Sequence, residues 1–315
     1  MEQGRERVTM SHASNPAQPT FVFGKRDEPG RAIWFLLGPC LLYLVVFSIY
    51  PLFHSLRLSL TDLTAATGTG NFVGLDNYRA LLVDPLFWNA AKNSAIMVFF
   101  SVAIQLVLGV ALALFFNLHL RGSWIVRGIL LLPMLMTPII VGVMWRALLN
   151  PDWGLVNWAI KSVGLTPPDW LGSVGMSMVT LILVDCWQWT PFVFIIVFAR
   201  LQALSQDVFE AAQVDGAGPL VTFRRITLPM LMPAIVFAGV FRAVDAFRSF
   251  DLIYGLSYGG PARSTTTLSF FSFQNGFQFQ NYGYAAAVAY MMLLILALGT
   301  TLMLKFVQIR PGASR

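Results

Sequence analysis

The sequence predicts an all-α membrane protein of six transmembrane helices with both termini cytoplasmic, and three observations predict it. Hydrophobic residues make up 57% of the 315 positions and charged ones only 11%, against about 25% charged in a soluble domain. Mean hydropathy is +0.67. Six stretches approach the ~20 mostly apolar residues that a span requires, and Lys and Arg concentrate in alternate connections between them. So few charges cannot cover a water-soluble surface, which excludes a pair of soluble domains. The net charge of +6 sits in short loops, where it sets topology and offers no nucleic-acid-binding face.

The first span runs from Ala32 to about Ser55, uncharged through Phe53, and lacks a small-residue cleavage pattern, so it is expected to be an uncleaved anchor. The second is Ser94 to Leu118, also uncharged. The third, roughly Ile129 to Leu149, is broken by Pro133 and Pro138. The fourth, about Val174 to Ala199, carries Asp185 as its only charge. The fifth, about Met230 to Tyr254, carries four charges, and the sixth is Ala285 to Leu304. With the N-terminus inside, 13 of the 21 basic residues fall on the cytoplasmic side, among them Arg26, Arg121, Arg127, Arg200, Arg224, Arg225 and Lys305. The expected organisation is a cytoplasmic tail at 1–31, a membrane domain at 32–309 and a short cytoplasmic tail at 310–315. Outer segments 57–92, 150–173 and 256–283 are expected to form small caps, with Trp153, Trp158 and Trp170 suited to the interface.

Several chemistries are missing from the pattern. Cys40 and Cys186 both lie in apolar runs, and His12, His54 and His119 lack zinc-ligand spacing. No GxxxxGK[ST] phosphate loop occurs, so any nucleotide bound through that motif sits on another chain.

One cytoplasmic loop, 200–229, is long for a compact bundle. Within it, Ser205 or Asp207 is placed to cap a helix whose first turn holds Glu210. Ala211 and Ala212 favour helix, Gly216 suits the left-handed residue that ends it, and Pro219 suits the first turn of a second helix. A short helix, a sharp turn and another helix then face the cytoplasm, either as a surface helix shielding the bundle or as a plug for a partner's cleft. Glu210-Ala211-Ala212, Asp215-Gly216-Ala217, Phe223, Ile226 and Leu228-Pro229 resemble, at every position, the EAA loop of binding-protein-dependent ABC importer permeases. The likeness runs from about 33 to 308 and includes Gly74-Leu75-Asp76-Asn77-Tyr78 and Gly259-Gly260-Pro261. It points to the sugar-importing subfamily, similar to the maltose permease subunits.

That resemblance implies the type I importer permease fold. It gives Glu210, Ala211, Ala212, Asp215 and Gly216 the task of docking into and following an ATPase subunit. It also implies a second homologous permease, two ATP-binding subunits that hold the ATP and magnesium, and an extracytoplasmic solute-binding protein that delivers a carbohydrate. The chain itself then carries no cofactor or metal, is not an enzyme, and resides as a multi-pass protein in a bacterial-type inner membrane.

The fifth span predicts a buried polar site. An ionisable residue at mid-bilayer costs about 2.5–3.5 kcal/mol on insertion scales, so Arg242, Asp245, Arg248 and Asp251 are expected to face the interior and to pair at their three-residue spacing. Asp185 of the antiparallel fourth span lies at similar depth. It begins the run Asp185-Cys186-Trp187-Gln188-Trp189-Thr190-Pro191-Phe192, which mixes hydrogen-bonding groups for sugar hydroxyls with flat rings for sugar faces. A purely structural ion network is the alternative. By resemblance, the substrate-contacting positions are Asp185, Gln188, Trp189, Phe192, Arg242, Asp245, Ala246 and Ser249. Charges stand here where the maltose permease has uncharged residues, so a charged sugar derivative or a glycerol phosphate ester is the second expectation for the cargo. An ion-driven secondary transporter would use Asp185 and Asp245 as ion sites, but no convincing inverted repeat is found. A membrane enzyme would need a nucleophile–base pair or metal spacing at a membrane face, and none appears.

Overall fold

The computed structural model describes residues 29–118 and 123–308, which among them form helices and two isolated β-bridges but no strand. The expected tails at 1–31 (save its last three positions) and 310–315, with Arg121 and His119, lie outside the described residues. The rest divides between Phe53 and His54 into two units. The first holds α1 (Pro29–Leu44), a π-helical turn (Val45–Ile49) and the start of α2 (Tyr50–Ser59). The second continues with α3 (Asp76–Val83), α4 (Pro85–Phe116), α5 (Ser123–Leu135), α6 (Pro138–Leu148) and α7 (Leu155–Ser162). Next come α8 (Val174–Gln202), α9 (Gln206–Val214) and α10 (Pro219–Thr222). After a π-helical turn follow α11 (Leu228–Phe247), α12 (Asp251–Leu256), α13 (Leu268–Phe273) and α14 (Tyr282–Gln308).

Among the described residues, five helical stretches are long and apolar enough to cross a membrane, or up to six if the α5–α6 pair counts as one. This is an all-α, multi-pass membrane fold. The second span begins nine residues earlier than its hydropathy predicted. Asp84 caps α4 by accepting from the Leu86 N–H at 2.8 Å and Pro85 occupies the first turn, while Asn89, Lys92 and Asn93 interrupt the apolar run that the sequence shows.

Along α4 every fourth residue from Asn93 through Met97, Ser101, Gln105 and Gly109 to Ala113 is buried. Residues four apart share one helix face, and membrane helices bury their small and polar side chains against each other because lipid tails already suit the apolar ones. That face meets α8, the most buried of the candidate spans.

Two expected spans are not continuous. The third, expected to be broken by Pro133 and Pro138, is broken at the second of these alone: α5 runs through Pro133, and α5 and α6 are bent by 101° at Met136–Thr137. Pro138 has no N–H to carry the ladder of α5 onward, and the Met136 carbonyl, at the break itself, accepts from Gln188 Nε2 at 3.0 Å. The fifth expected span, Met230 to Tyr254, likewise breaks at Arg248–Phe250, and Asp251 opens α12. The half-helices α6 and α12 cross through glycines. A Cβ on Gly142 would lie 2.8 Å from the Leu256 nitrogen, and one on Gly255 would lie 2.7 Å from the Ile139 carbonyl oxygen.

The caps explain one of the quoted motifs. Gly74 adopts φ +61°, Asn77 Nδ2 donates to the Ser59 and Thr61 carbonyls at 2.9 and 2.8 Å, and the Tyr78 and Ser59 hydroxyls lie 2.7 Å apart. The segment is a clamp on the end of α2.

Gly142→Ala must push α6 away from the α12 backbone, at about 1–3 kcal/mol for overpacking. A lower thermal unfolding midpoint of the purified permease is expected; an unchanged midpoint means the two backbones do not touch.

Candidate functional site

Arg242 of α11 has no exposed surface, and neither has Gln105 of α4; Asp185 of α8 is 1% exposed. Arg242 Nη2 donates to both Asp185 carboxylate oxygens, at 3.0 and 3.2 Å. Its Nε donates to Gln105 Oε1 at 2.9 Å, and its Nη1 donates to Asp245. Gln105 completes the ring by donating Nε2 to the Asp185 carboxylate at 2.7 Å. The guanidinium stacks over the Trp189 ring, 4.7 Å from its centroid. An unpaired ion here would be prohibitively costly, so three helices converge to supply its partners.

A cavity of about 340 Å³ opens beside this knot, lined by Asp185, Trp189, Asp245, Arg248, Ser249 and Asp251 with Pro138, Phe250 and Leu252. Its wall therefore comes from α8 and from both helix breaks, at Pro138 and at Arg248–Phe250. Arg248 approaches Asp245 only to 3.8 Å and its side chain is 64% exposed. Phe192 packs on Phe241, ring centroids 5.0 Å apart, and edge-on to Trp189 at 6.4 Å.

Of the eight expected substrate-contacting positions, Asp185, Trp189, Asp245 and Ser249 line the cavity. Arg242 and Ala246 are buried behind it, Phe192 is half-buried in the aromatic packing, and Gln188 is buried with its amide holding the break at Met136. The expected pairing at three-residue spacing holds for Arg242 with Asp245 and, more loosely, for Asp245 with Arg248; Asp251 belongs to the next helix. Gln105 was missed altogether. Its only signal was a lone amide in an otherwise apolar run.

The loop at 200–229 folds as a helix and a turn leading into a long rod. Ser205 is the cap, its Oγ accepting from the Asp207 N–H at 3.3 Å, so Asp207 occupies the first turn and Glu210 lies one turn further on than expected. Gly216, at φ +72°, ends α9: the Ala217 N–H donates to the Ala212 carbonyl at 2.9 Å and the Gly216 N–H to Gln213 at 3.0 Å. This double bond pattern places a left-handed residue at 216, which glycine tolerates without strain. Glu210, Ala211 and Asp215 are exposed, whereas Ala212 is buried and Phe209 packs against the cluster of Leu201, Leu204 and Leu231. The second helix is no separate element: Pro219 to Phe247 runs as one helical stretch of 29 residues.

A family model described as the binding-protein-dependent transport system inner membrane component matches residues 105–308. The chain belongs to that family. Among similar permeases, the trehalose/maltose transport system permease protein of Thermococcus litoralis is 34% identical over 86% of this chain and 92% of its own length. The sulfoquinovosyl glycerol transport system permease protein of Agrobacterium fabrum is 32% identical over 87% and 89%. In fold, the permease is similar to a chain of a bacterial ABC transporter involved in import of the acidic polysaccharide alginate, with TM-score 0.79, 22% identity and coverage of 90% and 97%. As an inner-membrane component of such a system, this permease hydrolyses no ATP itself. It works beside a second permease, separate ATPase subunits and a solute-binding protein.

Removing one member of a buried ion pair costs about 3–5 kcal/mol, while replacing both members with apolar groups costs far less. Arg242→Met should lower the thermal midpoint of the permease sharply, and Arg242→Met combined with Asp185→Leu should recover part of the loss. A double variant no more stable than the single one would disprove the pairing.

Proposed function

We propose that this permease moves a sugar or sugar derivative, handed over by an extracytoplasmic binding protein, through the cavity beside Asp185 and Arg242. The single observation that carries the proposal is the composition of that wall. Carboxylates, a serine hydroxyl and an arginine sit next to the Trp189 ring, a combination that meets the hydroxyl edges and the C–H faces of a pyranose. Trehalose/maltose and sulfoquinovosyl glycerol permeases among its relatives support the same class of cargo. A specific residue favours a second cargo: Arg248 borders the cavity, its side chain 64% exposed and its pairing with Asp245 loose at 3.8 Å, and a carboxylate, sulfonate or phosphate on the sugar would offer it a closer partner.

In the proposed topology the α5–α6 pair counts as one broken span, giving six spans with 1–31 and 310–315 in the cytoplasm. Asp185, Trp189, Asp245 and Ser249 contact the cargo. Arg242, Gln188, Phe192 and Ala246 hold those groups in place from behind. Glu210, Ala211, Asp215 and Gly216 present α9 to the ATPase, and Ala212 fixes α9 to the bundle. When the ATPase subunits close on ATP, α9 shifts, and the rod from Pro219 to Phe247 carries the displacement to Asp245 and Arg248. The bundles then rock around the cavity, which changes its access between the two faces of the membrane.

The test is uptake by proteoliposomes containing the complete transporter. Uptake is expected to need ATP and the binding protein and to ignore a proton ionophore. Uptake by this chain alone, driven by a proton gradient, would refute the proposal. Arg248→Ala and Asp251→Asn each remove a charged hydrogen-bonding group, worth about 1.5–3 kcal/mol, so KM should rise about tenfold or more with little change in stability. Glu210→Ala should leave ATP hydrolysis measurable while stimulation by the binding protein falls, read as the ratio of ATPase rates with and without that protein.

A further inference from the structure

Three hollows meet around Phe250 and Arg248. Beyond the cavity already described, Phe250 lines a second hollow of about 360 Å³ with Ser269, Ser272, Phe273 and Phe277. Ser269 and Ser272 also border a third, of about 320 Å³, together with Arg248. Each shares a wall residue with the cavity beside Asp185, Phe250 for the second and Arg248 for the third.

The wall of the second hollow is a row of rings. Phe250 and Phe273 have centroids 4.8 Å apart, and Phe273 and Phe277 stack at 5.3 Å with planes 25° apart. Tyr254 braces Phe273 edge-on at 5.7 Å. Phe277, at the end of the row, is 75% exposed. Its ring stacks on that of half-buried Phe273, so the row runs from the interior to the surface. Opposite the rings are hydroxyls. Ser269 Oγ donates to the Ser249 carbonyl at 2.5 Å and Ser272 Oγ to the Ala285 carbonyl at 3.2 Å. Ser272 Oγ keeps acceptor lone pairs for an incoming O–H, and Ser269 Oγ, which also meets the Thr267 hydroxyl at 3.0 Å, keeps one. The row also starts at the cavity and ends among the capping segments, next to Gln278, whose amide donates to the Tyr258 hydroxyl at 2.8 Å.

We propose that the hollow lined by Phe250, Ser269, Ser272, Phe273 and Phe277 is a second sugar subsite, and that the cargo is therefore a saccharide of at least two rings. This rests on the carbohydrate function proposed above. One ring sits beside Trp189, Asp245 and Asp251. The next lies against the row of Phe273 and Phe277 with its hydroxyls toward Ser269 and Ser272. Aromatic rings are suited to that task because they offer broad apolar area on rigid side chains.

The test uses the complete transporter in proteoliposomes and measures initial uptake of glucose, sulfoquinovosyl glycerol, trehalose, maltose and maltotriose. Wild type is compared with Phe277→Ala, which removes an exposed ring, and Phe273→Leu, which keeps an apolar side chain in the packed position. Two- or three-ring sugars are expected to be transported, and their KM should rise about three- to tenfold in both variants, the scale of a lost ring-stacking contact. Uptake confined to the single-ring probes, or an unchanged KM for the longer sugars in either variant, overturns the subsite and leaves the carbohydrate function standing. Failure to transport any of the five probes overturns both.

Discussion

A guanidinium with no exposed surface, held inside a membrane protein, constrains everything around it. The charge of Arg242 must be met where it stands. Its hydrogen bonds to Asp185, Gln105 and Asp245 fix the depth and rotation of α4, α8 and α11 relative to one another. A one-residue slip of any of these helices would leave an ion unpaired in a medium without water, which is why polar contacts of this kind are effective at fixing register even where their net contribution to stability is small. The apolar packing of Val193, Phe194, Val197 and Leu231 fills the space on one side of the knot; the cavity opens beside it.

The two helix breaks follow from the same economy of backbone polar groups. Irregular backbone at membrane depth survives only where it is buried in protein or lines a cavity. Both breaks meet those terms. The one at Met136 is satisfied by Gln188, and Pro138, Phe250 and Asp251 line the cavity itself. The half-helices beyond the breaks can lie close together because Gly142 and Gly255 remove the side chains between them. The breaks thus bring backbone and short side chains to the cavity edge that two straight spans would have kept apart.

Much of this was legible in the sequence, and the rest was hidden for definite reasons. Span positions, the cap-and-glycine limits of α9 and the association of Asp185 with Arg242 and Asp245 all follow from residue type and depth. The break after Phe247 did not, because charges at 242, 245, 248 and 251 repeat every three residues and so mimic one continuous helix. Depth also does not say which way a side chain points, so Arg242, buried behind the cavity, was grouped with residues that line it. Gln105 left almost no trace: it carries no charge, and its partner Asp185 lies 80 residues away. Only the convergence of three helices makes that amide an obligatory member of the ring.

The arrangement of α9 bears on how motion could reach the cavity. Were α9 tethered by flexible loops, a displaced ATPase would only swing it. Here Phe209 packs against Leu201, Leu204 and Leu231, and Ala212 is buried. Arg200 adds a hydrogen bond to the Met230 carbonyl at 3.2 Å, so the end of α8 grips the rod that begins at Pro219. The turn between α9 and that rod is short and closed by the paired bonds around Gly216. A push on α9 must therefore move the rod and α8 together at that end. At the other end Arg242 joins the same two helices through Asp185. A rigid displacement shared by both helices preserves the knot and changes instead what lies beyond it, at Arg248, Ser249 and the break into α12, where the regular ladder gives way to single tight-turn bonds from the Arg248 and Ser249 N–H groups to the Asp245 and Ala246 carbonyls.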